Sequence, residues 1–150
     1  MAVDTTIEED HKRVARCMAN DIVTGRKVEF IEDVLHPDYV WYGPSGATAR
    51  GFDGYRALVG TFHSAFPDLI STVHTMYGEG EWVTMLFQVT GVNDGDFLGH
   101  VATHKSVDFG GMIALRFADN GKIIEQFEMF DWPKLMQQLG LAPHSVPEFA

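Results

Sequence analysis

The feature that most limits how this chain can fold is a change of period at Leu69. Apolar residues recur at helical spacing before it and alternate after it. A helical half followed by a strand half predicts an α+β domain, with helices packed on a largely antiparallel sheet. At 150 residues there is room for one core rather than two. A chain of that size buries roughly 68–70% of its unfolded surface, enough for a core that still leaves a pocket.

Thr5 or Thr6 is placed to cap a first helix, with Glu8 and Glu9 in its early turns, where the dipole favours acids. Ile7, His11, Val14, Cys17, Met18 and Ile22 then repeat at helical spacing to about residue 24. A second short helix is expected over 27–35, with Val28, Ile31, Val34 and Leu35 inward, until His36-Pro37 ends it. Residues 38–42 read as an aromatic strand and 43–51 as a loop rich in small and turn-forming residues. Helical period returns over 52–66 with Tyr55, Leu58, Val59, Phe62 and Phe66 apolar.

Strands are expected at 70–77, 82–91, 97–103, 107–117 and 122–131. Gly78-Glu79-Gly80, Asn93-Asp94-Gly95 and Asp119-Asn120-Gly121 supply turns among them. Trp132-Pro133 then breaks the ladder and leads into a closing helix over 133–139, stopped by Gly140. The domain is expected to fill 1–140. Residues 141–150 read as a tail, disordered or lying on a partner subunit.

A net charge of −10 argues against nucleic-acid or anionic-membrane partners, which need basic footprints. Cys17 is alone, so no internal disulfide can form and a reducing compartment fits. The N-terminus is acidic without an apolar signal region, and no apolar run approaches the ~18–20 residues of a membrane span. A cytoplasmic location is the expectation.

A sheet curled against helices leaves a cup, a usual place for a small apolar ligand. In the strand over 82–91, Val83, Met85, Phe87 and Val89 alternate with Trp82, Thr84, Leu86 and Gln88, so both faces are partly apolar. The second face therefore needs a cover, and a homodimer through the sheet is expected.

The last strand ends in a carboxylate. Side chains two apart share a face, which groups Ile123, Phe127, Met129 and Asp131. An acid at the end of an apolar row has two readings. Held in a cup, Asp131 would gain proton affinity and serve as a general base and then acid. Alternatively it caps the final helix. His100 is the better pocket candidate of the pair His100 and His104, which lie about 13 Å apart on a strand and so do not suit one metal. His74 and His63 are further candidates for the cup, while His11, His36 and His144 read as surface or capping residues. Arg116 is placed to pair with Glu125 or Glu128. Trp41, Tyr42, Tyr55, Phe62, Phe66 and Phe127 would make an aromatic lining, or simply a core. No phosphate loop, nucleophile elbow or zinc signature is present.

Several stretches, in order, carry a resemblance. They are Tyr42-Gly43-Pro44, Gly51-Phe52-Asp53-Gly54-Tyr55, Ala65-Phe66-Pro67-Asp68-Leu69 and Gly80-Glu81-Trp82-Val83. Gly99 before Ala102-Thr103, Arg116-Phe117, the run from Gly121 to Phe127, Asp131 and Gln137-Gln138-Leu139-Gly140 complete the set. Together they resemble the SnoaL-like polyketide cyclase (ester cyclase) family of the nuclear-transport-factor-two-like superfamily. The resemblance implies a cone-shaped α+β domain: a curved, mostly antiparallel sheet with three N-terminal helices and a short C-terminal one. It also implies a dimer that needs no cofactor or metal, and acid/base chemistry of the intramolecular aldol or related isomerase kind on an apolar, carbonyl-bearing ligand. Asp131 matches the family's general acid/base; His100 is the second expected catalytic group. Tyr42, Tyr55, Phe62, Phe66, His74, Phe127 and Met129 are the expected substrate contacts. The chain departs from the family pattern at Val92-Asn93-Asp94, where a histidine is missing, and at Ala102-Thr103-His104-Lys105, where one is added. A non-catalytic, dimeric ligand-binding module of the same fold is the alternative.

Overall fold

The computed structural model describes residues 5–141. The expected tail beyond Leu141, with His144, lies outside the described residues. In chain order the elements are α1 (Thr5–Arg16), α2 (Ile31–Val34), β1 (Leu35–Tyr42), β2 (Thr48–Arg50), α3 (Gly51–Ala65), β3 (Ile70–Glu79), β4 (Trp82–Val92), β5 (Ser106–Phe117), β6 (Ile123–Phe130) and α4 (Trp132–Gln138). The six strands make one curved, unclosed sheet in the order β2-β1-β6-β5-β4-β3. Every neighbouring pair is antiparallel except β1 with β6. The change of period at Leu69 thus marks the real boundary between the helical half and the meander.

α1 does not stop at Arg16. It continues as a π-helical segment, Cys17–Thr24, whose wider turns bury Met18, Ala19 and Ile22. This helical run and α3 cover the inner face of the sheet. Val83, Met85, Phe87 and Val89 of β4 are buried there beside Leu115 of β5 and Ile123 of β6. One cluster of buried side chains centres on Ile22, Leu35, Tyr39 and Met85; a second, on Phe66, Phe97, Phe109 and Leu135. His11, expected at the surface or as a cap, is instead buried against the first cluster, its ring lying flat on Phe117 at 4.2 Å.

Three expected elements change. The second helix shrinks to a 3-10 turn, Val28–Phe30, followed by the single turn of α2, because Leu35 already pairs with Ile123. The expected loop over 43–51 contains β2, which pairs with β1. Residues 97–103 form no strand: Phe97 and His100 make one isolated bridge, and Leu98 (φ 48) and Gly99 (φ 82) fold the chain back between them.

The reason for the last change is Asn93, which is only 1% exposed. Its Nδ2 donates to the carbonyls of Ala65 at 3.2 Å and Gly95 at 2.8 Å. Its Oδ1 accepts from Thr103 N at 2.8 Å and from Thr103 Oγ1 at 2.9 Å. One amide therefore ties both ends of the loop to the end of α3, and the backbone has no need of a strand partner.

Candidate active site

Between the helices and the inner face of the sheet lies a cavity of about 100 Å³. Its walls are mainly apolar, with Leu58, Phe62, Met85, Phe87, Phe109 and Phe130 among them. Polar atoms enter from Tyr55, His63, Ser71, Gln126 and Glu128. Glu128 is the lining carboxylate.

Register explains why Glu128, and not its neighbours, points inward. From Ile123, simple alternation would turn 125, 127, 129 and 131 into the cup. Instead Arg116 faces Glu125 while Phe117 faces Ile123, so β6 carries one extra residue against β5. A bulge of this kind inverts the phase of everything beyond it. Gln126 and Glu128 therefore lie opposite Leu115 and Ile113 on the inner face. Phe127 and Met129 turn to the outer face, where Met129 is 66% exposed.

The carboxylate is held on one side only. Trp41 Nε1 donates to Glu128 Oε1 at 3.0 Å, and Gln126 Nε2 donates to the same oxygen at 2.9 Å. The Tyr39 hydroxyl donates to Gln126 Oε1 at 2.7 Å, which turns the amide nitrogen of Gln126 toward Glu128. Oε2 has no partner among the described residues. Trp41 reaches Glu128 because its indole lies over Gly43; a Cβ on that residue would overlap the ring at Cη2.

Burial raises the Glu128 carboxyl above its ordinary value, and the two donors on Oε1 offset only part of that rise. Tyr55, 2% exposed, is pushed upward chiefly by burial and then by the nearby negative charge of Glu128. Its hydroxyl stays protonated and bonds to none of the described residues, so it is free to donate to a guest. His63 is shifted the other way: burial lowers it, against the hydrogen bond to Val23, and the Arg26 charge lowers it further. His63 Nε2 lies 2.7 Å from the Val23 carbonyl oxygen and donates to it, which leaves Nδ1 as an acceptor.

The expected site residues divide sharply. Tyr55 and Phe62 line the cavity. Phe66 is fully buried beside it, packed on Phe62 and Phe97. Tyr42 and Phe127 stack on each other at 4.9 Å on the outer face, away from the cup, with Met129 on that same face. His74 is exposed at a bulge in β3, outside the cavity, and His100 is exposed on the loop before β5. Asp131 is exposed as well: its Oδ1 accepts from Lys134 N at 3.1 Å and caps α4. Of the two readings weighed for Asp131, this is the geometry of the cap. Arg116 pairs with Glu125, one of the two partners expected. Among the described residues no cluster of histidine, cysteine or acid side chains is arranged to hold a metal.

Sequence reasoning passed over Glu128, Gln126 and Tyr39 as a unit. The signal available was a second acid in the last strand, Glu128, in the opposite phase to Asp131. Its meaning depended on a bulge that no residue type announces.

A curved sheet folded over helices around a largely apolar cavity places the chain in the nuclear-transport-factor-two-like class of α+β domains. The family model for SnoaL-like polyketide cyclases matches residues 12–139, and the chain belongs to that family. Its fold is similar to a proposed SnoaL-like polyketide cyclase from Jannaschia sp. CCS1, with TM-score 0.85, 21% identity, and 95% of this chain and 100% of that chain covered. It is similar also to AclR from Streptomyces galilaeus, a proposed hydroxylase, with TM-score 0.80, 26% identity, and 94% and 91% covered. IdmH from Streptomyces antibioticus, a proposed polyketide cyclase, aligns with TM-score 0.75, 20% identity, and 87% and 98% covered. A comparison with curated proteins gives no match. No helix among the described residues is long and apolar enough to cross a membrane.

Proposed function

We propose that this chain is a cofactor-independent acid/base enzyme of the cyclase kind, acting on an apolar substrate with a carbonyl group, and that Glu128 is its proton carrier. The observation that supports this most is the one-sided binding of the Glu128 carboxylate. Two donors hold Oε1, while Oε2 has no partner and the residue lines an apolar cavity. Poor hydration strengthens such a carboxylate as a base, and once protonated it can return that proton as an acid.

In this reading Glu128 Oε2 takes a proton from the carbon beside the substrate carbonyl. The electron pair moves onto the carbonyl oxygen to give an enolate. The Tyr55 hydroxyl donates a hydrogen bond to that oxygen where the charge develops. The enolate carbon then attacks a second carbonyl of the same molecule, forming the ring bond. Protonated Glu128 is the available acid for the resulting alkoxide. The aromatic walls, Phe62, Phe87, Phe109 and Phe130, exclude water and suit a flat conjugated guest.

A second copy of the chain is proposed to cover the outer face of the sheet. Tyr77, Trp82, Leu86, Met112, Phe127 and Met129 are all exposed there, in registered positions on four adjacent strands.

The test is a ligand-stabilisation screen with aromatic polyketides, steroids and β-ketoesters, followed by proton–deuterium exchange on each hit. Exchange is expected from the native protein and from Asp131→Asn, and at least 100-fold slower exchange from Glu128→Gln, since general acid–base groups contribute about 10²–10⁴-fold. Exchange that survives Glu128→Gln, or is lost in Asp131→Asn alone, would overturn the assignment.

A further inference from the structure

Four side chains on two neighbouring strands interlock at one wall of the cavity. β1 and β6 run parallel, with Trp41 in register with Gln126. Residues two apart on a strand share a face, so Tyr39 and Trp41 meet Gln126 and Glu128 on the inner side. Trp41, Gln126 and Glu128 line the cavity, while Tyr39 lies behind them, outside its wall. Tyr39 and Gln126 are 1% and 3% exposed, so their polar atoms depend on each other rather than on solvent.

The bonds among these groups are directional. An ionised carboxylate offers about two acceptor sites on each oxygen. On Glu128 Oε1 both are filled, by Trp41 Nε1 and by Gln126 Nε2. For a proton to settle on Oε1, one of these donors must give way. The indole N–H can only donate, whereas Gln126 could accept if its amide turned over. The Tyr39 hydroxyl opposes that turn. It donates to Gln126 Oε1, its one hydrogen bond among the described residues. With the amide reversed, the hydroxyl proton would face Nε2 and be buried without an acceptor, which costs more than a typical hydrogen bond contributes. Burial keeps this hydroxyl protonated, and Tyr55 and Glu128 push the same way, so it remains a donor. The Tyr39 ring also meets that of Tyr55 edge-on at 5.6 Å. Tyr55 and His63 are the other titratable groups on the wall, and neither is hydrogen-bonded to these four residues.

We propose that Tyr39 is a positioning residue for the proton transfer: acting through the Gln126 amide, it keeps Glu128 Oε1 in the accepting role, so that a proton taken from the ligand rests on Oε2. The proposal rests on the reading of Glu128 as the proton carrier given above. It gives a buried hydroxyl outside the cavity wall a part in the chemistry within.

The experiment is a carbon-13 titration of the Glu128 carboxyl in the full chain, comparing the native protein with Tyr39→Phe, Gln126→Met and the double variant. Tyr39→Phe keeps the ring against Tyr55 and removes the hydroxyl alone. Its Glu128 is expected to bind a proton about fivefold more tightly than the native one, the worth of one hydrogen bond, because the protonated carboxyl can then turn the amide and donate to it. Gln126→Met should raise the affinity as well, and the double variant should match Gln126→Met, since Tyr39 acts only through that amide. Proton–deuterium exchange of ethyl benzoylacetate by the same proteins should show its acid limb displaced to higher pH in Tyr39→Phe, with KM unchanged. An unaltered Glu128 titration in Tyr39→Phe, or a double variant that exceeds Gln126→Met by the full fivefold, would overturn the proposal and leave Glu128 as the proton carrier. Exchange that survives Glu128→Gln would overturn both.

Discussion

Asn93 gives a prediction whose size can be worked from the structure. Replacing it with alanine removes four hydrogen bonds, two donated to Ala65 O and Gly95 O and two accepted from Thr103. Each is worth about 1 kcal/mol net, and a buried group left unpaired costs about 1–3 kcal/mol. Thr103 and Gly95 are part-buried, so water recovers some of this loss. Ala65, fully buried, recovers little. The expected cost is therefore about 3 kcal/mol, which in a domain of this length lowers Tm by about 6–12 °C. Asn93→Asp is the sharper variant. It keeps the acceptor for Thr103 but points a second oxygen at two carbonyls, so it should not rescue stability. Urea denaturation followed by intrinsic fluorescence measures both. A loss below about 1 kcal/mol for Asn93→Ala, or full stability in Asn93→Asp, would refute the role given to this amide.

Three further outcomes follow from the same contacts. Glu128→Gln keeps an acceptor for Trp41 and Gln126 but carries no charge. Burial raises the native carboxyl above its ordinary 4.5, so the native protein loses stability as pH climbs from that value through the raised one. The variant should gain over native across that window, by about 1.4 kcal/mol for each unit of the rise, with the smallest difference below pH 4; thermal melts at stepped pH would contradict this by showing a gain that does not grow with pH. Gly43→Ala should displace the Trp41 indole, break its bond to Glu128 and cost about 1–3 kcal/mol; an unchanged denaturation midpoint would contradict the packing described. Phe127→Glu, on the outer face, should weaken self-association by roughly 100-fold in sedimentation equilibrium, and a native chain that sediments as a monomer would remove the proposed dimer.

How far the sequence could be read depended on the range of the interactions involved. The long strands β4 and β5 and helices α1 and α3 were legible because their periodic apolar faces are local signals. The loop over 97–103 was not. Its alternation looks like a strand, but Asn93, several residues upstream, claims the hydrogen bonds that a strand would need. β2 was hidden because three residues among Gly, Pro and Ser give no pattern, and it exists only where β1 offers an edge. Tyr55 and Phe62 were placed in the cavity by helical period alone. Phe127 and Met129 lie on the outer face because of one inserted residue in β6, which moved Glu128 in and left Asp131 as a helix cap, and Tyr42 lies on that face beside its register partner Phe127. Strand phase is a cumulative quantity, so a single bulge overrides every residue-level clue beyond it.

The most direct measurement is a carbon-13 NMR titration of the glutamate side-chain carboxyls, with Glu128 assigned by comparison with Glu128→Gln. The structure predicts that the Glu128 resonance titrates above 4.5 and moves higher still in Trp41→Phe, which removes a donor to the charged form. A Glu128 carboxyl that titrates at or below 4.5, or that ignores the loss of Trp41, would contradict the desolvated, one-sided carboxylate on which the proposed chemistry stands.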